Sequence, residues 1–374
     1  MAPELPPLTT TNHQQAREVF MVMLRSFSIN GLLPVLVRVI LLLLLFKFNI
    51  TVSSQSIIKT LPGFSGDLPV KMETGYVGVG ERDDVQLFYY FIESERNPKD
   101  DPLMLWLAGG PGCSALRAFF YEIGPFSFNY SNSIGDKPQL EQNPYSWTKV
   151  ANIIFIDQPV GTGFSYANTP EAYISSDTIS ATQAYDFLRK WLVDHSKFLT
   201  NPLYISGISY VGMVVPIIVQ EIYNGNEAGN EPQLNIKGYI LSNPLTDKNG
   251  DVNSRVEYAH RVALLSDELY ESTKANCQGK YIDVDPKNLL CLRDLQEVDK
   301  SYIYNYATNW ATSRAVQEAL HVREGIKTEW VQCNNSIEYS FGKTSTVAYT
   351  FNVPSTVGYH RNLTSKNCRA LIMR

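Results

Sequence analysis

The stretch that most constrains the fold is LYISGISYVGMVVPIIVQ, residues 203–220. Leu203-Tyr204-Ile205 reads as a short apolar strand, Gly207-Ile208-Ser209-Tyr210-Val211-Gly212 as a tight turn, and Met213 to Ile222 as an apolar run of helical length. Strand, glycine-flanked serine and helix in immediate succession form the layout of a nucleophile elbow. There the chain turns so sharply that the serine side chain stands alone above a sheet. Small residues are needed because the strand and helix backbones come into near contact. The general pattern is G-x-S-x-G. Val211 holds the fifth position here and the second glycine comes one place later, so an ordinary strand-turn-helix is the alternative reading of this stretch alone.

The surrounding chain alternates strand and helix from about residue 56. Run 85–92 (VQLFYYFI) is β-branched and aromatic, 103–107 (LMLWL) is a continuous apolar strand, 152–156 (NIIFI) is another, and a further strand is read at 238–241. Between them, 178–198 places Ala181, Tyr185, Leu188, Trp191 and Leu192 at the i, i+3/i+4, i+7 spacing of an amphipathic helix. Fully apolar strands separated by helices predict an α/β fold, with a mainly parallel sheet covered on both faces. The region from about 246 to 310 is polar and helical in pattern, and reads as an insertion on that core.

With 374 residues, 44% of them hydrophobic, the chain can bury a large core. A net charge of −5 and the lack of a basic cluster argue against nucleic acid as a partner. Residues 1–54 read as a leader. Residues 31–46 are apolar apart from Arg38, Lys47 follows, and Val52-Ser53-Ser54 is small enough for cleavage. An apolar core this short fits a secretory signal, and the long segment before it leaves a retained signal-anchor as the alternative. Membrane contact is expected only in that second case. Removing the leader's +2 leaves −7 on residues 55–374, the expected domain.

Sequons at Asn129, Asn334 and Asn362 fit a secretory route. The five cysteines, Cys113, Cys277, Cys291, Cys333 and Cys368, show no Cys-x-x-Cys spacing and no nearby histidine pattern. They suit an oxidising compartment better than a metal site, and the odd count leaves one unpaired. No metal or cofactor is expected.

A second glycine-rich stretch, Trp106-Leu107-Ala108-Gly109-Gly110-Pro111-Gly112-Cys113-Ser114, directly follows the 103–107 strand. Glycines there let backbone N–H groups point at a ligand oxygen, which an oxyanion hole requires. A phosphate loop would need a following Lys-Ser/Thr, and none is present.

Together these residues resemble the serine carboxypeptidases, and within them the plant serine carboxypeptidase-like proteins. The likeness runs from about 57 to 373, through LPGF at 61–64, ETGYVGVG at 73–80, WLAGGPGCS at 106–114, WTKVANIIFIDQPVGTGFSY at 147–166, GISYVG at 207–212 and NPLTD at 243–247. It implies an α/β-hydrolase fold with a helical insertion and a Ser-Asp-His triad. Carried over by position, Ser209 is the nucleophile, and the N–H groups of Gly110 and Tyr210 form the oxyanion hole. Glu122 is a substrate-binding position. Cys113–Cys333 and Cys277–Cys291 are the implied disulfides, with Cys368 left over. The substrate is a small ester or peptide, and the destination is the vacuole or the extracellular space.

Two departures bear on chemistry. Family peptidases carry an Asn before the paired glycines and a Glu before the serine, which grip a C-terminal carboxylate; this chain has Ala108 and Ile208. The plant branch that transfers acyl groups from sugar esters also tends to lack that Asn, but usually has Asp where Ile208 stands. In the family, a strand resembling RALIMR (369–374) continues into the catalytic Asp, with the His further on. The expectation is therefore a C-terminally truncated domain without the last strands and helices of the core. None of His260, His321 and His360 sits in a catalytic motif of the family. Three readings follow: a carboxypeptidase, an acyltransferase by the same acyl-enzyme route, or a truncated isoform or pseudoenzyme without turnover.

Overall fold

The continuous apolar runs become the inner strands of one mixed sheet. The computed structural model describes residues 55–134, 137–298, 310–323 and 348–373, with 325, 330, 331, 333, 338 and 339 between them. In chain order the strands are β1 (Ser56–Ile58), β2 (Met72–Val79), β3 (Val85–Ile92), β4 (Leu103–Leu107), β5 (Phe126–Ile134), β6 (Lys137–Gln142), β7 (Asn152–Ile156), β8 (Tyr166–Ala167), β9 (Ser175–Ser176), β10 (Leu203–Ile208), β11 (Ile236–Ser242), β12 (Glu338–Tyr339), β13 (Ala348–Thr350) and β14 (Arg369–Met373). The main sheet runs β1-β2-β3-β7-β4-β10-β11-β14, with β8 beside β3. Strands β1, β2 and β3 are antiparallel, and β3 joins β7 antiparallel. From β7 through β4, β10 and β11 to β14 every pairing is parallel.

Alternation along the strands feeds two separate cores. Leu87, Tyr89 and Phe91 of β3 join one cluster, while Phe88, Tyr90 and Ile92 join the other. The first face is covered by α2 (Asp177–Asp194), α3 (Val215–Glu227) and α8 (Val357–Ser365), through residues such as Trp191, Ile218 and Leu363. The second is covered by α1 (Leu116–Tyr121) with Trp310 and Trp330. Burial on both sides explains why β4 and β7 read as unbroken apolar runs. Helix α2 starts where Ser176 Oγ accepts a hydrogen bond from the Ile179 N–H, an N-cap.

The predicted insertion region holds three helices, α4 (Lys248–Arg261), α5 (Asp267–Cys277) and α6 (Leu289–Val298). The Cys277–Cys291 disulfide ties α5 to α6. Helix α7 (Arg314–Ala319) follows. The second disulfide, Cys113–Cys333, links the loop after β4 to a segment 220 residues later. Cys368 is a buried free thiol. All these elements fall within one compact unit, Ser53–Arg374. Among the described residues no helix is long and apolar enough to cross a membrane. The predicted leader and Asn334 lie outside the described residues.

Candidate active site

Register places the two glycine-rich turns side by side. Strands β4 and β10 are parallel neighbours, with Leu107 opposite Gly207. Residues 108–110 and 208–210 therefore leave the carboxyl edge of the sheet together. β4 lies between β7 and β10, where successive connections depart to opposite sides, which is where open α/β sheets place their ligand sites.

At the end of β10 the chain turns through Ser209, which has φ 65°, a conformation uncommon for a residue with a Cβ. The serine is exposed while Tyr210, Val211 and Met213 beside it are buried. A short 3₁₀ turn, Ser209–Met213, intervenes before α3, so the helix starts two residues later than the apolar run at Met213 predicts. β10 in turn extends to Ile208, beyond the predicted end at Ile205, and delivers the serine straight from the strand.

Two close approaches hold this turn. A Cβ on Gly109 would stand 2.7 Å from Ser209 Cβ, 2.8 Å from the Ile208 carbonyl and 3.0 Å from the Tyr210 nitrogen. Glycine at 109 thus lets the first turn lie directly on the second and leaves the Tyr210 N–H uncovered. A Cβ on Gly207 would lie 2.4 Å from Val211 Cγ2. Val211, the departure from G-x-S-x-G, packs into the space that the missing side chain of Gly207 leaves. From outside the turn, the Leu245 N–H donates to the Ser209 carbonyl at 2.9 Å, and Thr356 Oγ1 donates to the Gly212 carbonyl at 3.0 Å.

Two fully buried carboxylates stand behind these turns. Asp157, at the end of β7, accepts from Ser114 Oγ at 2.5 Å, from the Ala115 N–H at 2.9 Å and from the Phe164 N–H at 3.0 Å. It thereby anchors the far end of the Gly109–Cys113 loop. Asp177, the first residue of α2, accepts from the Tyr210 hydroxyl at 2.5 Å and the Tyr349 hydroxyl at 2.9 Å. Sequence reading singled out neither carboxylate. The only signal was local: an acidic residue just after the Ser175-Ser176 pair, and one opening DQPVGTG.

Glu122 follows α1 as its C-cap. Burial pushes its carboxyl pKa up, against the opposing pull of Arg117 and Trp106. Arg117 Nε lies 3.6 Å from Glu122 Oε1. The Trp106 indole N–H acts on this carboxyl without completing a well-aligned hydrogen bond, so Oε2 and Trp106 Nε1 are both buried and unsatisfied among the described residues. Ala108 is buried, and Ile208 packs against the second core, so the two substituted positions present hydrocarbon.

The three downstream histidines are placed elsewhere. His260 stacks on Tyr270 in the insertion, with Nε2 2.8 Å from Asp267. His360, on α8, pairs Nδ1 with the Tyr239 hydroxyl at 2.7 Å. His321 is exposed in a left-handed turn at φ 55°. Among the described residues, no histidine hydrogen-bonds Ser209. Of the sequons, Asn129 is half-buried on β5 with its amide 2.9 Å from Glu141, and Asn362 is exposed on α8 beside Gln220. The described residues contain no cluster of metal-ligating side chains.

The mixed sheet, the sharp turn after an inner parallel strand and the helical insertion define the class, an α/β-hydrolase fold. A solved carboxypeptidase shares it: Kex1Δp, a prohormone-processing enzyme from Saccharomyces cerevisiae, superposes with a TM-score of 0.66 at 21% identity, over 84% of this chain and 77% of that one. The chain belongs to the serine carboxypeptidase family, peptidase family S10, whose model matches residues 62–305. Two relatives from Arabidopsis thaliana, serine carboxypeptidase-like 7 and serine carboxypeptidase-like 17, are each 48% identical to it. The first alignment covers 82% of this chain and 76% of the relative, and the second 79% and 73%.

Proposed function

We propose that Ser209 is the nucleophile of an acyl-transfer reaction on a small ester or peptide. The observation that carries this reading is the exposed serine at φ 65°, seated on Gly109 at the carboxyl edge of the sheet. In this reaction Ser209 Oγ attacks the substrate carbonyl and a base takes the hydroxyl proton. The tetrahedral oxyanion is held by the N–H groups of Gly110 and Tyr210, and the leaving group accepts the proton from that base as its bond to the carbonyl carbon breaks, giving an acyl-serine ester. Water or a second hydroxyl then takes the acyl group. Glu122, with its unpartnered Oε2 beside Trp106 Nε1, supplies polar atoms to the bound substrate.

Between water and a hydroxyl compound as acceptor, Ala108 favours the hydroxyl compound, while Ile208 departs from both branches of the family and only weakens the case for a peptide. Each removes a side chain that would grip a peptide's terminal carboxylate, at about 1–3 kcal/mol per bond to a charged group. The two disulfides and the predicted leader support a secretory route, to the vacuole or the extracellular space.

A second reading, a protein that binds without turnover, is favoured by one observation: among the described residues no histidine reaches Ser209. The test offers the purified full chain a blocked dipeptide and an acyl glucose with a hydroxyl acceptor, with Ser209→Ala as control. Turnover that falls by about 10⁴-fold or more in the control supports the acyl-enzyme reading. A cooperatively folded chain silent toward both substrates sinks it in favour of binding alone.

A further inference from the structure

Asp177 lies at the meeting point of three parts of the chain that are far apart in sequence. It opens α2, it accepts the Tyr210 hydroxyl from the elbow at 2.5 Å, and it gathers the segment 349–353. From that segment it takes the Tyr349 hydroxyl at 2.9 Å, the Asn352 N–H at 2.9 Å and the Val353 N–H at 3.0 Å. Its side chain is fully buried. The charge is satisfied by these four donors and by the positive end of a helix 18 residues long. Around it the Tyr210 ring packs edge-on to Tyr349, with centroids 6.3 Å apart, and to Phe351 at 5.5 Å.

Tyr210 is therefore held at both ends. Its backbone nitrogen faces the gap over Gly109, and its hydroxyl is fixed to a buried anion. Fixing the ring fixes the rotation of the peptide between Ser209 and Tyr210, and with it the direction of the Tyr210 N–H. We propose that Asp177 is a positioning residue for the oxyanion hole, acting through the Tyr210 hydroxyl to aim the Tyr210 N–H at the oxygen that becomes charged. The inference rests on the acyl-transfer reading of Ser209. Oxyanion donors contribute through pre-set direction, so a donor free to swing loses much of its effect without weakening ground-state binding. Burial pushes the hydroxyl pKa values of Tyr210 and Tyr349 well above their ordinary range, so both stay protonated as donors.

Two variants separate positioning from mere support of the fold. Tyr210→Phe keeps the ring and the backbone N–H and removes the hydroxyl that binds Asp177. Tyr349→Phe removes the second hydroxyl bound to the same carboxylate oxygen, Oδ1, and leaves the Tyr210 bond in place. Both are made in the full chain, and amide hydrogen exchange at residues 210–213 is read beside kcat and KM on p-nitrophenyl acetate. In Tyr210→Phe, exchange at 210–213 should rise by about tenfold, while the interior amides of α2 keep their protection. In the same variant kcat should fall by about tenfold or more at unchanged KM. Tyr349→Phe should leave both close to wild type. Equal effects of the two variants, or unchanged exchange in Tyr210→Phe, overturn the proposal whether or not the protein turns over ester. A loosened elbow with unchanged kcat overturns it as well. A wild-type chain with no esterase activity but an elbow that responds to Tyr210→Phe alone overturns the acyl-transfer reading and upholds Asp177 as the anchor of Tyr210.

Discussion

A methyl group at position 109 would have to enter space already held by Ser209 Cβ, the Ile208 carbonyl and the Tyr210 nitrogen, all within 3.0 Å. Two of these are backbone atoms and cannot swing aside, so either the elbow or the loop after β4 must move. Gly109→Ala is expected to lose about 1–3 kcal/mol of stability in urea unfolding, typical of an overpacked site. It should also lose whatever turnover Ser209 supports. A stability within about 0.5 kcal/mol of wild type would mean the two turns are not in contact in solution. The two glycine-rich turns, at 108–112 and 207–212, were legible in the sequence because their residue types admit few conformations. Asp177 and Asp157 were not, since an acidic letter carries no sign of its burial. Only the chain's return past residue 349 and the loop after β4 reveal what each carboxylate holds.

At the scale of elements, the inner strands were the easiest to read. Burial on both faces forces a continuous apolar run, and 85–92, 103–107 and 152–156 became β3, β4 and β7. Element ends were less legible. Tertiary pairing carries β10 through Gly207 to Ile208 because Leu107 and Leu241 lie on either side of Gly207 to receive it. The antiparallel pair β5 and β6 was less legible because, although FSFNYSNSI alternates Phe126, Phe128 and Tyr130 with polar residues, its partner KPQLEQ is polar apart from Pro138 and Leu140. Helices α5 and α6 owe more to a crosslink than to a core, with Cys277 joined to Cys291 14 residues on, and Leu289 and Leu290 exposed. Replacing both cysteines by serine removes about 3 kcal/mol of restriction on the unfolded segment. Limited proteolysis should then cut within 267–298 faster than in wild type, while the sheet survives. An unchanged cleavage rate would show that packing alone holds the pair.

At the scale of the whole molecule, His360 and Asp101 are two of the groups that give stability a predictable dependence on pH. Burial lowers the pKa of His360 below that of a free histidine, so below about pH 6.5 the unfolded chain binds a proton that the folded one resists. Stability is therefore expected to decline as pH falls from 6.5 toward the folded value, and His360→Gln should flatten that limb in thermal melts taken across pH 7 to 5. Asp101 acts further down. Its hydrogen bond with Arg96, outweighing burial, holds its carboxyl below the usual range. That contribution is complete above about pH 4 and disappears as pH falls through the folded value. Asp101→Asn should cost about 1–3 kcal/mol at neutral pH and weaken the acid-induced loss below pH 4. An acid limb identical to wild type would remove Asp101 from the account. The brace on the elbow also has a meaning in time. A ribosome delivers Ser209 and Tyr210 well before it delivers Tyr349 and Thr356, and Cys113 long before Cys333. The main-sheet strands from β1 to β11 can pair while synthesis continues, but the turn after β10 must wait for residues 349–356 to emerge. The turn that would do chemistry is thus braced late, and a nascent chain carries its serine through a long stretch of translation without the support that shapes it.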